Sequence, residues 1–492
     1  MGNSTKATLV WFRNDLRLTD NPALAWAVEQ GGAVIPVFIW SPEEEAPWSP
    51  GAASRWWLHH SLVALDAALR EQGLRLILRS GRVLPALRGL IAATGAAAVA
   101  WNRRYEPAMV DGDERVRESL RSSGIAAESF NASLLCEPGD VQTRAGRPFT
   151  VFTPFWKACR AGMAVRAPLK PPKRIAAPGA WPASASLASL GLEPRSDRAA
   201  GIRAAWRPGE AGARTQLRRF LKESLAGYAE GRNRPDRPDT SRLSPHLRFG
   251  EIGPRQIWHA VRERAKVRGR EPARSAAVYL SEIGWREFAH HLLFHFPGIP
   301  DAALRPEFAE FPWSRGAVMR RQLKAWQQGR TGYPIVDAGM RELWATGWMH
   351  NRARMSVASF LVKDLLVDWR HGARWFWDTL VDADLANNTL GWQWTAGCGA
   401  DAAPYFRVFN PVLQGQTFDP RGRYVRRWVP ELEKLPGTWI HRPWEAPRGV
   451  LSAAGVTLGA TYPRPIVDHA RARGRALKAF AQIKRRRGGG ER

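Results

Sequence analysis

The stretch Thr331–Met355, TGYPIVDAGMRELWATGWMHNRARM, decides how the second half of the chain is read. Apolar residues recur at helical spacing over 334–347, and the pattern resumes over 351–366. Two amphipathic segments joined by a short loop point to packed helices. Five of the chain's 24 Trp lie between Trp344 and Trp377, with two more at Trp392 and Trp394. Arg341, Arg352 and Arg354 sit near them in sequence with Asn351, Asn387, Asn388, Asp382 and Asp384. Such a mixture suits a planar aromatic ligand with a charged tail. A Trp-rich helical core with solvated charges would read the same way.

Working outward, helical spacing also marks 212–226, 254–267, 274–295 and 316–328, and strand-like alternation is scarce. An all-α domain over 206–483 is expected, ended by a basic tail at 484–492. Toward the front, short apolar runs fall at 7–12, 33–40, 74–79, 97–102 and 125–130. They alternate with helical patterns at 52–71, 83–94 and 111–123. Thr19-Asp20-Asn21-Pro22 reads as a further helix start. The alternation predicts an α/β domain over 1–133 with a parallel, Rossmann-like sheet and right-handed crossovers. No GxGxxG follows the first strand, so a dinucleotide-type pyrophosphate site is not expected there. Between them lies a connector, 134–205, with Pro168, Pro171, Pro172, Pro178, Pro182 and Pro194. It is expected to wrap over the surface and not to swing free.

The chain has 492 residues, 45% of them apolar, enough for two or three real cores. A net charge of +28 favours an anionic partner, nucleic acid first, or reflects an Arg-rich composition. Cys136, Cys159 and Cys398 are too few and too scattered for a disulfide scaffold or a CxxC metal site. They suit a reducing, cytoplasmic setting. MGNSTKATLVWF runs straight into a strand without a signal-peptide core, and no apolar run is long enough to span a bilayer. No membrane association is expected, and a monomer is.

Three groups of residues carry chemistry. Thr240, Ser241, Arg242, Leu243 and Ser244 open a helical segment. Hydroxyls and free N–H groups there suit phosphate oxygens, or serve as ordinary caps. In YLSEIGWREFAHHLLFHF (279–296), Glu282 and Trp285 share a helix face. A carboxylate beside an indole can accept a hydrogen bond from a base edge stacked on that indole; a core Trp beside a surface Glu fits too. His290, His291 and His295 have no carboxylate or Cys to complete a metal set, and none is expected. Trp348, Asn351, Arg352 and Met355 form another helical stripe. Trp392 and Trp394 alternate as on an extended segment, or flank a turn.

With these residues in view, the sequence resembles the cryptochrome/DNA photolyase family along nearly its whole length. The matching blocks are VWFRNDLRLTDNPAL (10–24), WREF (285–288), GRTGYPIVDAGMRELWATGWMHNRARM (329–355), SFLVKDLLVDWR (359–370), GWQW (391–394) and DAAPYFRVFNP (401–411). The resemblance implies an α/β antenna domain, a long linker and a helical domain holding FAD in a bent shape. By similarity, Tyr228 and Thr240 to Ser244 hold the flavin's phosphates and nearby groups. Asp382 and Asp384 flank the flavin, with Arg354 as partner of Asp382. Asn388 falls beside the reactive flavin nitrogen, and Trp392, Trp369 and Trp313 match the family's photoreduction chain. The lesion pocket maps to Glu282, Trp285, Arg286, Asn351, Arg352, Met355 and Trp394.

Members acting on (6-4) photoproducts carry histidines at the positions of Asn351 and Met355. Asn and Met therefore imply the type acting on cyclobutane pyrimidine dimers in DNA. SPEEEAPWSPGAASRWWLHHSL (41–62) and LGWQW resemble plant cryptochromes and the class III photolyases. Plant cryptochromes usually carry Asp where Asn388 stands and add a long extension. The resemblance thus implies repair, with a blue-light photoreceptor signalling through a partner as the alternative. A general basic nucleic-acid binder without flavin is the third reading. The family's Asn-Glu pair for an antenna folate is missing after Tyr105-Glu106, where Pro107, Ala108 and Met109 follow. The class III likeness implies methenyltetrahydrofolate near Glu43 to Glu45 and Trp48; a deazaflavin or no antenna at all are the alternatives.

Overall fold

A computed structural model describes residues 6–193, 199–266, 270–401 and 406–489. The first residues of the N-terminal stretch, Pro194, 402–405 and the end of the basic tail lie outside them.

Five runs of continuous apolar character become the strands β1 (Thr8–Phe12), β2 (Val34–Trp40), β3 (Ile77–Ser80), β4 (Ala98–Asn102) and β5 (Ala126–Phe130). They form one parallel sheet in the order β3-β2-β1-β4-β5. β1, β2 and β4 are buried along nearly their whole length, as a parallel sheet covered by crossover helices requires. The crossovers are α1 (Pro22–Glu29), α2 (Ala52–Glu71), α3 (Val83–Thr94) and α4 (Pro107–Ser122). Asn21 caps α1 by accepting from Leu24 N at 3.1 Å, the start that Asn-Pro suggested.

Two boundaries move. β3 begins at Ile77, because Leu74 N bonds Leu69 O and Leu76 N bonds Asp66 Oδ1, both on α2. Those residues finish the helix and do not extend the sheet. α4 starts at Pro107, a proline in the first turn that its fixed φ favours.

In such a sheet the crevice between β1 and β4, where strand order reverses, is the usual ligand position. Here the chain's own side chains fill it. Arg13 pairs with Asp113 at 2.5 Å. Asn102 Nδ2 donates to Asp15 Oδ2 at 2.6 Å and to Asn21 Oδ1 at 2.7 Å. All five side chains are buried. The connector lies along the free edge of β3: Ala185 N donates to Leu78 O at 3.0 Å, and Leu78 N to Ser184 Oγ at 2.9 Å. That covers an edge that would otherwise offer unpaired backbone groups.

The chain divides into two compact units. The first comprises residues 1–226, 241–297 and 381–385. Besides the sheet it holds α5 (Phe152–Gly162), α6 (Glu210–Glu223), α7 (Ser244–Arg248), α8 (Pro254–Lys266) and α9 (Arg270–His295). α9 packs on α5 and α8. Gly284 permits the first contact, since a Cβ there would lie 2.7 Å from Trp156.

The second unit comprises residues 227–240, 298–380 and 386–492. Its helices include α10 (Gly316–Gln327), α11 (Pro334–Thr346), α12 (Asn351–Ser359), α13 (Trp369–Thr379), the body of α14 (Leu385–Ala396) and α15 (His469–Gly489). The opening TGY turn is fixed by Asp337. Its carboxylate accepts from Thr331 N, Thr331 Oγ1, Gly332 N and Tyr462 OH at 2.6–3.0 Å. Gly347, at φ 68°, ends α11 in the left-handed region that glycine favours. α12 runs into one π-helical turn, Phe360–Asp364. Trp392 and Trp394 lie on a helix, α14, and not on an extended segment or beside a turn. The polar and apolar residues of α14 follow no helical period, so its sequence shows no clean helical stripe and the Trp-Gln-Trp alternation misleads.

Candidate functional site

In the first unit the phosphate-type loop ends at α7, whose N-cap residue is Leu243. Among the described residues no side chain caps that start. Ser241 O instead accepts from Gln216 Nε2 at 2.8 Å. Arg242 has φ 51°, a left-handed conformation uncommon for a non-glycine residue. Its guanidinium lies 4.2 Å from the Trp206 ring centre. A non-glycine backbone held this way at an uncapped helix start is typical of a ligand clamp.

Glu282, Trp285 and Arg286 stand on α9. Trp285 stacks on Phe152, the first residue of α5, at 3.8 Å and 11°. Its ring is therefore held from behind. Arg286 Nη1 donates to Ser133 O at 2.6 Å and lies 3.6 Å from Glu287 Oε1.

The segment before α14 brings Asp382 and Asp384 into this unit. Asp384 Oδ2 lies 3.4 Å from His290 Nε2. Burial alone would raise the Asp384 carboxyl, but His290, Arg286 and Arg248 hold it well below the usual range. Arg248 is anchored by Nε donating to Ala383 O at 2.6 Å. The site thus contains a largely enclosed carboxylate held in its ionised form by the charges gathered around it.

In the second unit α12 carries Asn351, Arg352, Arg354 and Met355. Arg352 Nη2 donates to Asn233 Oδ1 at 2.5 Å, and its guanidinium lies 4.1 Å from the Phe418 ring centre. Arg354 Nε donates to Met349 O at 2.8 Å. Tyr228 is buried and Thr240 half-buried.

Asn388 and Trp392 lie one turn apart on one face of α14. Asn388 Nδ2 donates to Ala373 O at 3.0 Å, which fixes the amide. Trp392 is buried, and its Nε1 has no hydrogen-bond partner among the described residues. Phe376 and Trp326 meet its ring edge-on at 5.0 and 6.2 Å. On α13, Trp369 is fully buried one turn before Gly372, which is flush against Trp392. Trp313 is half-buried beside Phe311, ring centres 4.3 Å apart. Trp394 is half-buried and faces a small cavity lined also by Lys363 and Phe406.

Residues 8–174 match the family described as DNA photolyase, and residues 279–482 match the FAD binding domain of DNA photolyase. The chain is 50% identical to a deoxyribodipyrimidine photo-lyase of Agrobacterium fabrum, over 99% of this chain and 100% of that protein. The chain belongs to the cryptochrome/DNA photolyase family. Among its relatives, cryptochrome-1 of Arabidopsis thaliana is 44% identical over 97% of this chain and 70% of its own length. A bacterial class III photolyase from Agrobacterium tumefaciens superposes with a TM-score of 0.94 at 50% identity, covering 99% of both chains. A cryptochrome of Synechocystis reaches 0.88 at 31% identity, over 97% of this chain and 100% of that one.

Within this family framework, the class III-like block lies over a second cavity. Glu43 and Glu44 line a space of about 560 Å³ with Trp40, Ser80 and Arg82, at the ends of β2 and β3. Glu45 turns away and binds Arg104 through both oxygens, at 3.0 and 2.8 Å.

The three histidines of α9 are engaged by the protein. Besides His290, His291 accepts from Phe149 N at 3.1 Å and contacts Pro138 O at 3.2 Å; His295 contacts Pro138 O at 3.1 Å. Sequence reasoning missed the pairing of His290 with Asp384 and the cap that His350 supplies to α12. His290 offered no signal, since Asp384 is remote in sequence. His350 caps α12 through Nδ1, which accepts from Arg352 N at 3.1 Å. Histidine is an unusual cap, and only its place just before the Asn-Arg-Ala-Arg-Met stripe hinted at it. Among the described residues no helix is long and apolar enough to cross a membrane.

Proposed function

We propose that this chain is a light-driven deoxyribodipyrimidine photo-lyase, splitting cyclobutane pyrimidine dimers in DNA. The observation that carries the reading is its end-to-end likeness to the Agrobacterium photo-lyases. By the family resemblance, Asn388 stands where plant cryptochromes carry Asp, so a signalling receptor is not favoured.

FAD is the cofactor of this reading. The residues that would hold it are Tyr228, Thr240 to Ser244, Arg354, Asp382, Asp384 and Asn388. Three features support the fit: the uncapped start of α7, the left-handed Arg242, and an amide at Asn388 fixed by Ala373 O. When bound and reduced, photoexcited flavin supplies one electron to the dimer, which returns it once the two ring bonds have broken.

The chain's own residues do the rest. Trp285, Met355 and Trp394 give apolar walls to a dimer flipped from the duplex, whose weakened stacking lowers the cost of leaving it. Glu282 hydrogen-bonds the dimer where negative charge develops. Asn351, Arg352 and Arg286 orient the lesion and its flanking phosphates. Trp392, Trp369 and Trp313 return oxidised flavin to its working state by passing electrons inward. Part of the +28 charge holds the DNA backbone.

In the same reading 1–133 is the antenna domain, 134–205 the linker, 206–483 the FAD-binding domain and 484–492 a basic tail. A second chromophore, methenyltetrahydrofolate rather than a deazaflavin, sits by Glu43, Glu44 and Trp48. The protein works as a monomer in the cytoplasm.

The test mixes purified, reduced protein with an ultraviolet-irradiated thymine oligomer under blue light. The absorbance of unlesioned thymine should return. A flavin-loaded protein that leaves the dimers intact would remove the reading. The absorption spectrum of the same preparation reports flavin bands and any antenna shoulder.

A further inference from the structure

Cys136 and Cys159 looked scattered in sequence, but the fold brings their sulfurs to 2.8 Å. Cys136 lies just before Pro138 at the start of the connector; Cys159 lies on the last turn of α5. Their contact occurs at the wall of an open cavity of about 730 Å³, which both cysteines line with Glu137, Met163 and Arg255. Cys159 is buried and Cys136 only partly so, so solvent reaches the pair through Cys136.

Both cysteines sit on anchored backbone. Glu287 accepts from Leu135 N at 2.8 Å and from Cys136 N at 3.3 Å, tying that segment to α9. α5 is held to α9 by Phe155, whose ring centre lies 5.1 Å from that of Phe288, and by the Phe152–Trp285 stack. Two thiols inside ordinary van der Waals contact, on supports that do not have to move, are poised to bond. The third cysteine offers an internal comparison. Cys398 is fully buried, and burial pushes its thiol up to about 12.

We propose that Cys136 and Cys159 form a peroxide-sensitive dithiol that closes into an intramolecular disulfide, fixing the start of the connector to α5. The contact with Cys136, then burial, push the Cys159 thiol far above its ordinary value, so Cys159 keeps its proton. The partly exposed Cys136 is therefore the sulfur that reacts first. As a thiolate it attacks one peroxide oxygen. An S–O bond forms, the O–O bond breaks, and the leaving hydroxide takes up a proton as water. The product is a sulfenic acid on Cys136. The Cys159 sulfur then attacks the Cys136 sulfur. The S–S bond forms, the S–O bond breaks, and hydroxide leaves as water with the Cys159 proton. In sum two thiols and one hydrogen peroxide give a disulfide and two waters. A thiol reductant reverses it.

The experiment uses the full-length holoprotein, treated with hydrogen peroxide, quenched, alkylated and mapped by peptide mass spectrometry. The expected result is a peptide pair joined through Cys136 and Cys159, with two hydrogens lost. Titratable thiols should fall from three to one, Cys398 should be fully alkylated, and dithiothreitol should restore the starting state. In Cys159→Ser the crosslink should vanish and a sulfenic-acid trap should label Cys136. Oxidation should raise the apparent Tm of the wild type and leave that of Cys136→Ser unchanged, because a closed loop constrains the unfolded chain. Sulfinic or sulfonic acid on Cys136 with Cys159 still alkylated would overturn the proposal. So would links between chains, or three thiols surviving peroxide. These readouts involve no light and no DNA, so they stand or fall apart from the repair activity.

Discussion

At His350 a neutral imidazole takes the place of the usual serine or aspartate cap. The ring must leave Nδ1 unprotonated to accept from Arg352 N. Burial first, then the neighbouring Arg352 and Arg354, push its pKa down from 6.5 to about 3. The unfolded chain binds this proton more readily than the folded one. Its contribution to stability is therefore present above pH 6.5 and lost as pH falls toward 3, by roughly 1.4 kcal/mol per pH unit across the window. Urea unfolding across that pH range, for the wild type and His350→Gln, should show a flatter acid limb in the variant. Parallel curves would remove His350 from the account. Glu282 makes a prediction of a different kind. If it stabilises developing charge, Glu282→Ala should slow repair about tenfold or more, the worth of one hydrogen bond to a charged group. Affinity for dimer-bearing DNA should change far less. A loss confined to affinity would make Glu282 a binding residue only.

Among the helical glycines of the described residues that face another helix, Gly372 of α13 lies closest to its neighbour, on α14. A Cβ on Gly372 would come within 2.1 Å of the Trp392 ring, and Phe376 closes the same ring from the side. Gly372→Ala should therefore displace Trp392 and destabilise the fold by about 1–3 kcal/mol, the usual cost of overpacking. Photoreduction of oxidised flavin should fall with it. Trp392→Phe keeps the helix contact but removes the indole. It should block photoreduction while pre-reduced enzyme still repairs at nearly the wild-type rate. Equal loss of both activities would mean that Trp392 serves the lesion directly. The sheet was legible because buried parallel strands are continuous apolar runs, and α11 because its face is amphipathic. α14 was not, since its polar and apolar residues follow no helical period, although α11 is buried at least as fully. Asp384 with His290, and Cys136 with Cys159, could not be read because nothing local links residues that only the fold brings together. Asn388 and Met355 gained their meaning through family resemblance; their spacing alone says only that each lies on a helix.

For the whole molecule the excess of 73 Lys and Arg over 45 Asp and Glu must act on DNA or on solubility, and salt separates the two. If six to ten phosphates are neutralised on binding, affinity should fall roughly 10³- to 10⁵-fold between about 50 and 200 mM salt, with log K linear in log salt. Many of the arginines are already committed inside the protein. Arg13, Arg17 and Arg248 are buried, and Arg104 and Arg341 bind carboxylates. The slope should therefore report far fewer charges than the net total. Repair of DNA already bound should hardly respond to salt, because the flipped lesion lies away from the counterion atmosphere. Fluorescence-anisotropy titrations on dimer-bearing and undamaged duplexes should give parallel salt slopes, offset by a constant factor for the lesion. An affinity indifferent to salt would assign the surplus charge to solubility and leave the lesion pocket to hold DNA alone.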